Sequence, residues 1–286
     1  MKNKERGKYT WLPAGIAVVL IAVMIVGVYF QAIGQKSEKY RIVCLGDSIL
    51  GNVRDETSVT SVMESILGEE VANGAFGGTC ASLSNTGYRP TFYEDSINLT
   101  MLADAIADKD FFVQLCDISS NNFTLPYFED CLRELSTIDF TQAEILFIEH
   151  GINDYSAGRP VDNPDNPKDV FTYAGALRYS IEKLQEAYPK LQIVLVTPVY
   201  CYFQDRGMDS EQADFGHGVL EAYVEAERQV AEEYGLPCID NFANLGVNRD
   251  TIDEYAVDGI HLNEKGRALL ANALAEYVKS NSEGEK

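Results

Sequence analysis

The sequence predicts an α/β protein: a three-layer α/β/α sandwich with a parallel sheet of about five strands, preceded by one N-terminal transmembrane helix. Three observations predict it. Short apolar runs alternate with segments whose apolar residues recur at helical spacing. Glycine-bearing polar turns fall where those apolar runs end. A stretch of twenty residues near the N-terminus carries no charge. Strands separated by helices imply right-handed crossovers and a parallel sheet covered on both faces.

Residues 1–10 form a basic tail in which Lys2, Lys4, Arg6 and Lys8 outnumber Glu5. The uncharged stretch Trp11 to Phe30 follows, about the length that crosses a bilayer core as a helix. The positive charge before it predicts a signal anchor with the N-terminus in the cytoplasm and the remainder outside. Small residues at Ala32-Ile33-Gly34 would permit cleavage and secretion instead. Residues 31–39 read as a polar tether, 40–280 as the globular domain, and 281–286 as a polar tail.

Within the domain, Arg41 to Leu45 reads as the first strand. Val59, Val62, Met63, Ile66 and Leu67 mark a helix, and Glu70 to Ala72 a short strand. Residues 82–140 read as a helical insertion over part of the sheet, with helical patterns at Met101–Ile106 and Phe128–Leu135 and a strand-like Phe111–Cys116. The rhythm resumes with a strand at Ile145–Ile148 and a helix through Ala174, Leu177, Ile181 and Leu184. A strand at Ile193–Val196, a helix through Leu220, Tyr223, Val224 and Ala231, and a short strand near Cys238 follow. Leu269, Leu270, Ala273, Leu274 and Tyr277 give the closing helix.

Composition bounds the function. The chain has 286 residues, 46% hydrophobic and 23% charged, enough for a sizeable core. Its formal charge is -21, and because the first eight residues carry a net excess of three positive charges, the remainder carries -24. Such a surface repels phosphate backbones, so nucleic acid is not an expected partner. Six irregularly spaced cysteines do not read as a disulfide framework, although a Cys116–Cys131 bridge is conceivable.

The candidate chemistry lies at strand ends. Ile42 to Leu45 breaks off at Gly46-Asp47-Ser48, and Asp258-Gly259-Ile260-His261 stands just before the closing helix. Serine, aspartate and histidine in that order suggest an acyl-enzyme hydrolase. His261 would take the hydroxyl proton of Ser48, while Asp258 accepts the other ring N–H. Two further turns, Gly77-Gly78 and Gly151-Ile152-Asn153-Asp154, also follow apolar runs. No His-Glu-x-x-His or Cys-x-x-Cys pattern occurs, so no metal or cofactor is expected. Leu50 stands where a Gly-x-Ser-x-Gly elbow needs glycine, which weighs against an α/β-hydrolase.

Together these four segments resemble the GDSL or SGNH hydrolase family, named after a serine, glycine, asparagine and histidine. The resemblance runs from about residue 40 to 278 and is most specific at the first, third and last segments. It implies a flavodoxin-like fold and a serine esterase with catalytic Ser48, Asp258 and His261. The backbone N–H groups of Ser48 and Gly78 and the Asn153 amide would then form the oxyanion hole. Where the family usually has a threonine two positions after its glycine, this chain has Cys80, with Thr79 one earlier. Gly77 is therefore the alternative register, and Asn73, five residues before Gly78, favours the one chosen.

The resemblance and the predicted outside location imply an acylated carbohydrate as the ester substrate, with acetyl as the first expectation. Alternatives are a lipase or aryl esterase, an O-acyltransferase using the same triad, and a non-catalytic glycan-binding domain. His150 reads as a core histidine and His217 as a surface residue. The Asp162–Asp169 loop, with Tyr155, Tyr200, Tyr202 and Phe203, is a candidate for shaping the substrate pocket.

Overall fold

Apolar residues dominate Ile42–Gly46 (β1), Ile145–Glu149 (β3) and Gln192–Val196 (β4), and all three are strands. A computed structural model describes residues 38–84, 95–120 and 124–283. Val71–Asn73 (β2) and Cys238–Ile239 (the fifth strand, β5 here) complete a parallel sheet in the order β2-β1-β3-β4-β5. Alternate residues of these strands face opposite layers, as the two-residue period of a strand requires. Val43, Leu45, Leu146, Ile148, Ile193 and Leu195 join one buried cluster; Ile42, Cys44, Ile145, Phe147, Val194 and Val196 join the other.

Helices cover both faces. One layer contains Val59–Leu67 (α1) and Glu264–Glu283 (α2), whose Val59, Met63, Leu270 and Leu274 pack under the second cluster. Opposite lie Leu99–Asp108 (α3), Phe128–Thr137 (α4), Tyr173–Ala187 (α5) and Leu220–Tyr234 (α6). Residues 112–120 correct the sequence expectation: the strand-like Phe111–Cys116 lies largely in the helix Phe112–Ser120. Phe111 and Ile118 meet the helical core, while Phe112 faces solvent. Tertiary packing here overrides a weak local signal.

This strand order has its switch point between β1 and β3, whose connections run to opposite sides of the sheet. Ligands bind outside the C-terminal strand ends at such a point. Ser48 follows β1 and Asn153 follows β3.

The predicted membrane segment 11–30 lies outside the described residues. Among those described, no helix is long and apolar enough to cross a membrane.

Candidate active site

After β1 the chain turns at Asp47, whose Oδ1 accepts the Ile49 N–H at 3.0 Å and caps the single helical turn Ser48–Gly51. Ser48 is the first residue of that turn, so its own N–H has no intrahelical acceptor. Its Oγ lies 3.0 Å from His261 Nε2. His261 Nδ1 in turn lies 2.7 Å from Asp258 Oδ2. The contiguous hydroxyl, imidazole and carboxylate join residues 213 positions apart in sequence.

The Asp258–His261 loop is held from several sides. Asp258 Oδ1 accepts the N–H groups of Ile260 at 3.0 Å and His261 at 2.8 Å. Burial would raise its carboxyl, but His261 and these two donors outweigh that and hold it below the usual carboxylate range. Gly259 has φ 83° and its carbonyl accepts the Tyr202 N–H at 2.7 Å. A Cβ there would stand 2.2 Å from the Tyr202 carbonyl oxygen, so glycine is required on both counts. Arg267 donates to Leu262 O and Thr57 O, each at 2.8 Å, tying this loop to the segment beyond Ser48.

Gly77 and Gly78 differ in what their amides do. The Gly77 N–H donates to Tyr127 Oη at 2.8 Å. Gly78, at φ 81°, has open space around it, and its N–H has no acceptor among the described residues. Asn73 braces this turn, donating to Leu50 O and accepting the Ala75 N–H.

Asn153 does not cap its helix Ile152–Ser156; Gly151 stands at the cap. Its Nδ2 donates to Thr79 O at 3.0 Å and Asp47 Oδ2 at 3.1 Å. The side chain thus bridges the Ser48 and Gly78 turns. Asp154 pins the chain beyond Gly78, accepting Ala81 N–H at 2.8 Å and Ser82 N–H at 3.0 Å.

The strand order thus puts Ser48 and Asn153 at the switch point, with a hydrogen-bonded Ser–His–Asp chain and a Gly78 amide that has no acceptor among the described residues. The family model of the GDSL-like lipase/acylhydrolase family matches residues 44–269. The chain belongs to that family. Its members are ester hydrolases, and the resemblance read from the sequence is borne out.

Solved structures of similar fold include a protein from Lactobacillus plantarum, 18% identical with TM-score 0.60, covering 85% of this chain and 98% of that one. Another is a possible lipase from Chitinophaga pinensis DSM 2588, 20% identical with TM-score 0.54, covering 84% and 98%. A third is the salicylyl-acyltransferase SsfX3 of a tetracycline biosynthetic pathway, 15% identical with TM-score 0.52, covering 87% and 56%. At these identities the likeness is one of fold. No curated protein matches the chain.

Several functional-looking residues of this GDSL-family chain went unassigned in the sequence. Glu149, at the end of β3, is fully buried beside Asp47, itself fully buried. Burial pushes Asp47 up to about 7, and the nearby Asp154 carboxylate adds to the effect. Burial, then the Asp47 and Glu227 carboxyls, raises Glu149 well above its ordinary range, so Glu149 keeps a proton. The signal was present: an acidic residue closing a wholly apolar run. A folded state that retains this proton binds more protons than the unfolded chain, so the Glu149 contribution to stability falls as pH rises above about 4.5. In Glu149→Gln that loss is absent. Urea unfolding at pH 5 and pH 8 is expected to show the variant gaining on wild type at the higher pH.

Other readings are corrected. Tyr155, Tyr200 and Phe203 do not line a cleft; all three are buried. Tyr155 stacks edge-on with Phe215 and Tyr223 at 4.9 and 5.5 Å, and its hydroxyl donates to Ala213 O. Three large rings bury more apolar area against one another than an open cleft would allow. The Asp162–Asp169 loop is clamped by Arg178, which reaches Asp162 at 2.8 Å and Glu233 at 2.6 Å. It borders a separate cavity with Glu182 and Tyr234, without any residue of the triad.

The conceivable Cys116–Cys131 bridge does not form: all six cysteines are free, and the buried Cys131 Sγ accepts from Arg54 at 3.1 Å. His150 is a core residue, lowered to about 3 by burial and therefore neutral, and His217 is exposed. Among the described residues no group of three or more His, Cys, Asp or Glu side chains is placed to hold a metal ion.

Proposed function

We propose that this chain is an extracytoplasmic serine esterase that removes small acyl groups, acetyl first, from carbohydrate. The observation that carries the catalytic part is the Ser48–His261–Asp258 chain of 3.0 and 2.7 Å contacts. His261 Nε2 takes the Ser48 proton as Oγ attacks the ester carbonyl. The carbonyl becomes a tetrahedral oxyanion, and the imidazolium is stabilised and oriented by the Asp258 carboxylate. His261 then protonates the leaving alcohol, and the acyl group stays on Ser48. Water, deprotonated by the same imidazole, releases the acid.

The oxyanion would be met by the Ser48 and Gly78 N–H groups and the Asn153 amide. Both Asn153 Nδ2 hydrogens are engaged at rest, so this donor serves by giving up Asp47 or Thr79 as the oxyanion forms. A full negative charge is the better acceptor. Asn153→Ala is expected to lower kcat by about 10²–10³-fold with KM little changed, read from steady-state kinetics on p-nitrophenyl acetate.

The carbohydrate reading draws on the cleft beside these donors, about 320 Å³, bordered by Ser84, Asp95, Asn98 and Arg159 as well as Gly78 and Asn153. Several of these side chains can hydrogen-bond sugar hydroxyls. The outside location rests on the charge pattern of residues 1–30. Full-length protein in detergent would be assayed on p-nitrophenyl acetate, p-nitrophenyl decanoate and an acetylated oligosaccharide. Release of acetate from the oligosaccharide with kcat/KM above that for the decanoate is expected; the opposite ranking would assign a lipase.

A further inference from the structure

Arg159 differs from the other arginines of the described residues. Arg41, Arg133, Arg178, Arg228 and Arg249 meet carboxylates, Arg54 and Arg267 meet carbonyl oxygens, and Arg206 lies over the Phe215 ring at 4.1 Å. Arg159 makes no ion pair among them, and its Nε is buried without a hydrogen-bond partner. A buried donor left unpaired is costly and rare enough to need a reason.

Among the described residues its surroundings supply no strong acceptor for Nε. Asp154 is a neighbour whose charge acts on Arg159, yet the two make no hydrogen bond or ion pair, and its oxygens accept from Ala81 and Ser82 instead. Cys80, the other polar neighbour, offers the guanidinium a sulfur contact, but burial raises its pKa and keeps it a neutral thiol. Thiols are weak acceptors. The backbone of Arg159 is nonetheless fixed at both ends. Its N–H donates to Asp154 O at 2.9 Å, and its carbonyl accepts from Tyr223 Oη.

Arg159 borders the same cleft as Gly78 and Asn153, the proposed oxyanion donors. Asp95, the acidic residue on that lining, has its Oδ1 engaged by Ser84 N–H and Asn98 Nδ2. In a chain of formal charge -21, a cation that makes no ion pair among the described residues and is held at one point marks where an anion is admitted. We propose that Arg159 anchors a carboxylate carried by the ester substrate, through the paired N–H groups that match carboxylate geometry. This rests on the esterase reading and narrows its substrate to acidic esters. The carboxylate has two sources: the acyl group, as in a dicarboxylic half-ester, or the alcohol, as in an acetylated uronic acid.

The full-length protein in detergent is assayed on p-nitrophenyl hemisuccinate, acetylated oligogalacturonate, and the neutral pair p-nitrophenyl butyrate and acetylated xylo-oligosaccharide. Wild type is expected to favour one acidic ester over its neutral counterpart. Arg159→Gln should lose about 10- to 100-fold in that acidic-to-neutral ratio of kcat/KM, the size of a charge-assisted pair. Arg159→Lys should recover part of it, since lysine restores charge without the fork. Whichever acidic ester responds identifies the source.

An equal loss on acidic and neutral esters would make Arg159 structural and overturn the proposal, as would a wild-type preference for neutral esters. Calorimetric binding of succinate and trigalacturonate to the Ser48→Ala protein decides the matter independently of turnover. Binding weakened about 10-fold or more by Arg159→Gln supports the anchor, and absence of binding by either carboxylate overturns it. Absence of all ester turnover with binding retained would instead sink the esterase reading alone.

Discussion

Ser48→Ala and His261→Ala are each expected to lower kcat/KM on p-nitrophenyl acetate by about 10⁴–10⁶-fold, and the double variant should be scarcely worse than either. The reason is that the two groups act as one device. Without the hydroxyl there is no acyl-enzyme to form, and without the imidazole the hydroxyl keeps its proton. The fold should survive Ser48→Ala, because the caps and bridges around the turn come from Asp47, Asn73 and Asn153. Circular dichroism and a denaturation midpoint within error of wild type would verify that. Additive losses in the double variant, or residual turnover in Ser48→Ala above a few per cent, would mean another nucleophile carries the reaction.

Asp258→Asn should reduce kcat by about 10⁴-fold at neutral pH. The carboxylate fixes which ring nitrogen of His261 bears the proton, and a carboxamide can present its N–H₂ where an acceptor is needed. Asp258 also accepts two backbone N–H groups in its own loop. Asparagine keeps an oxygen for them, whereas Asp258→Ala keeps none. The alanine variant is therefore expected to match the loss in kcat and to lose about 1 kcal/mol of stability besides, measured by urea unfolding. Equal stability of the two variants would show that the Ile260 and His261 hydrogen bonds to Asp258 do not stabilise the loop.

How far the sequence carried these assignments depended on the range of the interaction behind each residue. The three central strands were legible because burial on both faces leaves an unmistakable apolar run, as in Ile42–Gly46 and Gln192–Val196. Closing helix Glu264–Glu283 was legible because Leu270 and Leu274 recur one turn apart. The helix at Phe112–Ser120 was not, since a short amphipathic stretch carries alternating and helical patterns alike until its packing partners are present. Tyr155 and Phe203 were misplaced for the same reason. Position after a strand end says nothing about whether a ring turns outward or into the Phe215–Tyr223 cluster.

Local chemistry determines the parts that sequence alone could name. A Gly-Asp-Ser turn, an Asp-Gly-Ile-His loop and a glycine pair are each set by φ preferences, caps and hydrogen bonds spanning a few residues. Their composition therefore names the family and its chemistry. What the tertiary structure alone decided are relations between distant segments: the 3.0 Å approach of His261 to Ser48, the use of the Gly77 amide by Tyr127, and the burial of Glu149 against Asp47. The buried Arg159 Nε, without a hydrogen-bond partner among the described residues, belongs with them. Each depends on the sheet order that brings β1 and β3 side by side, and partners drawn from opposite ends of a chain leave no periodicity behind in it.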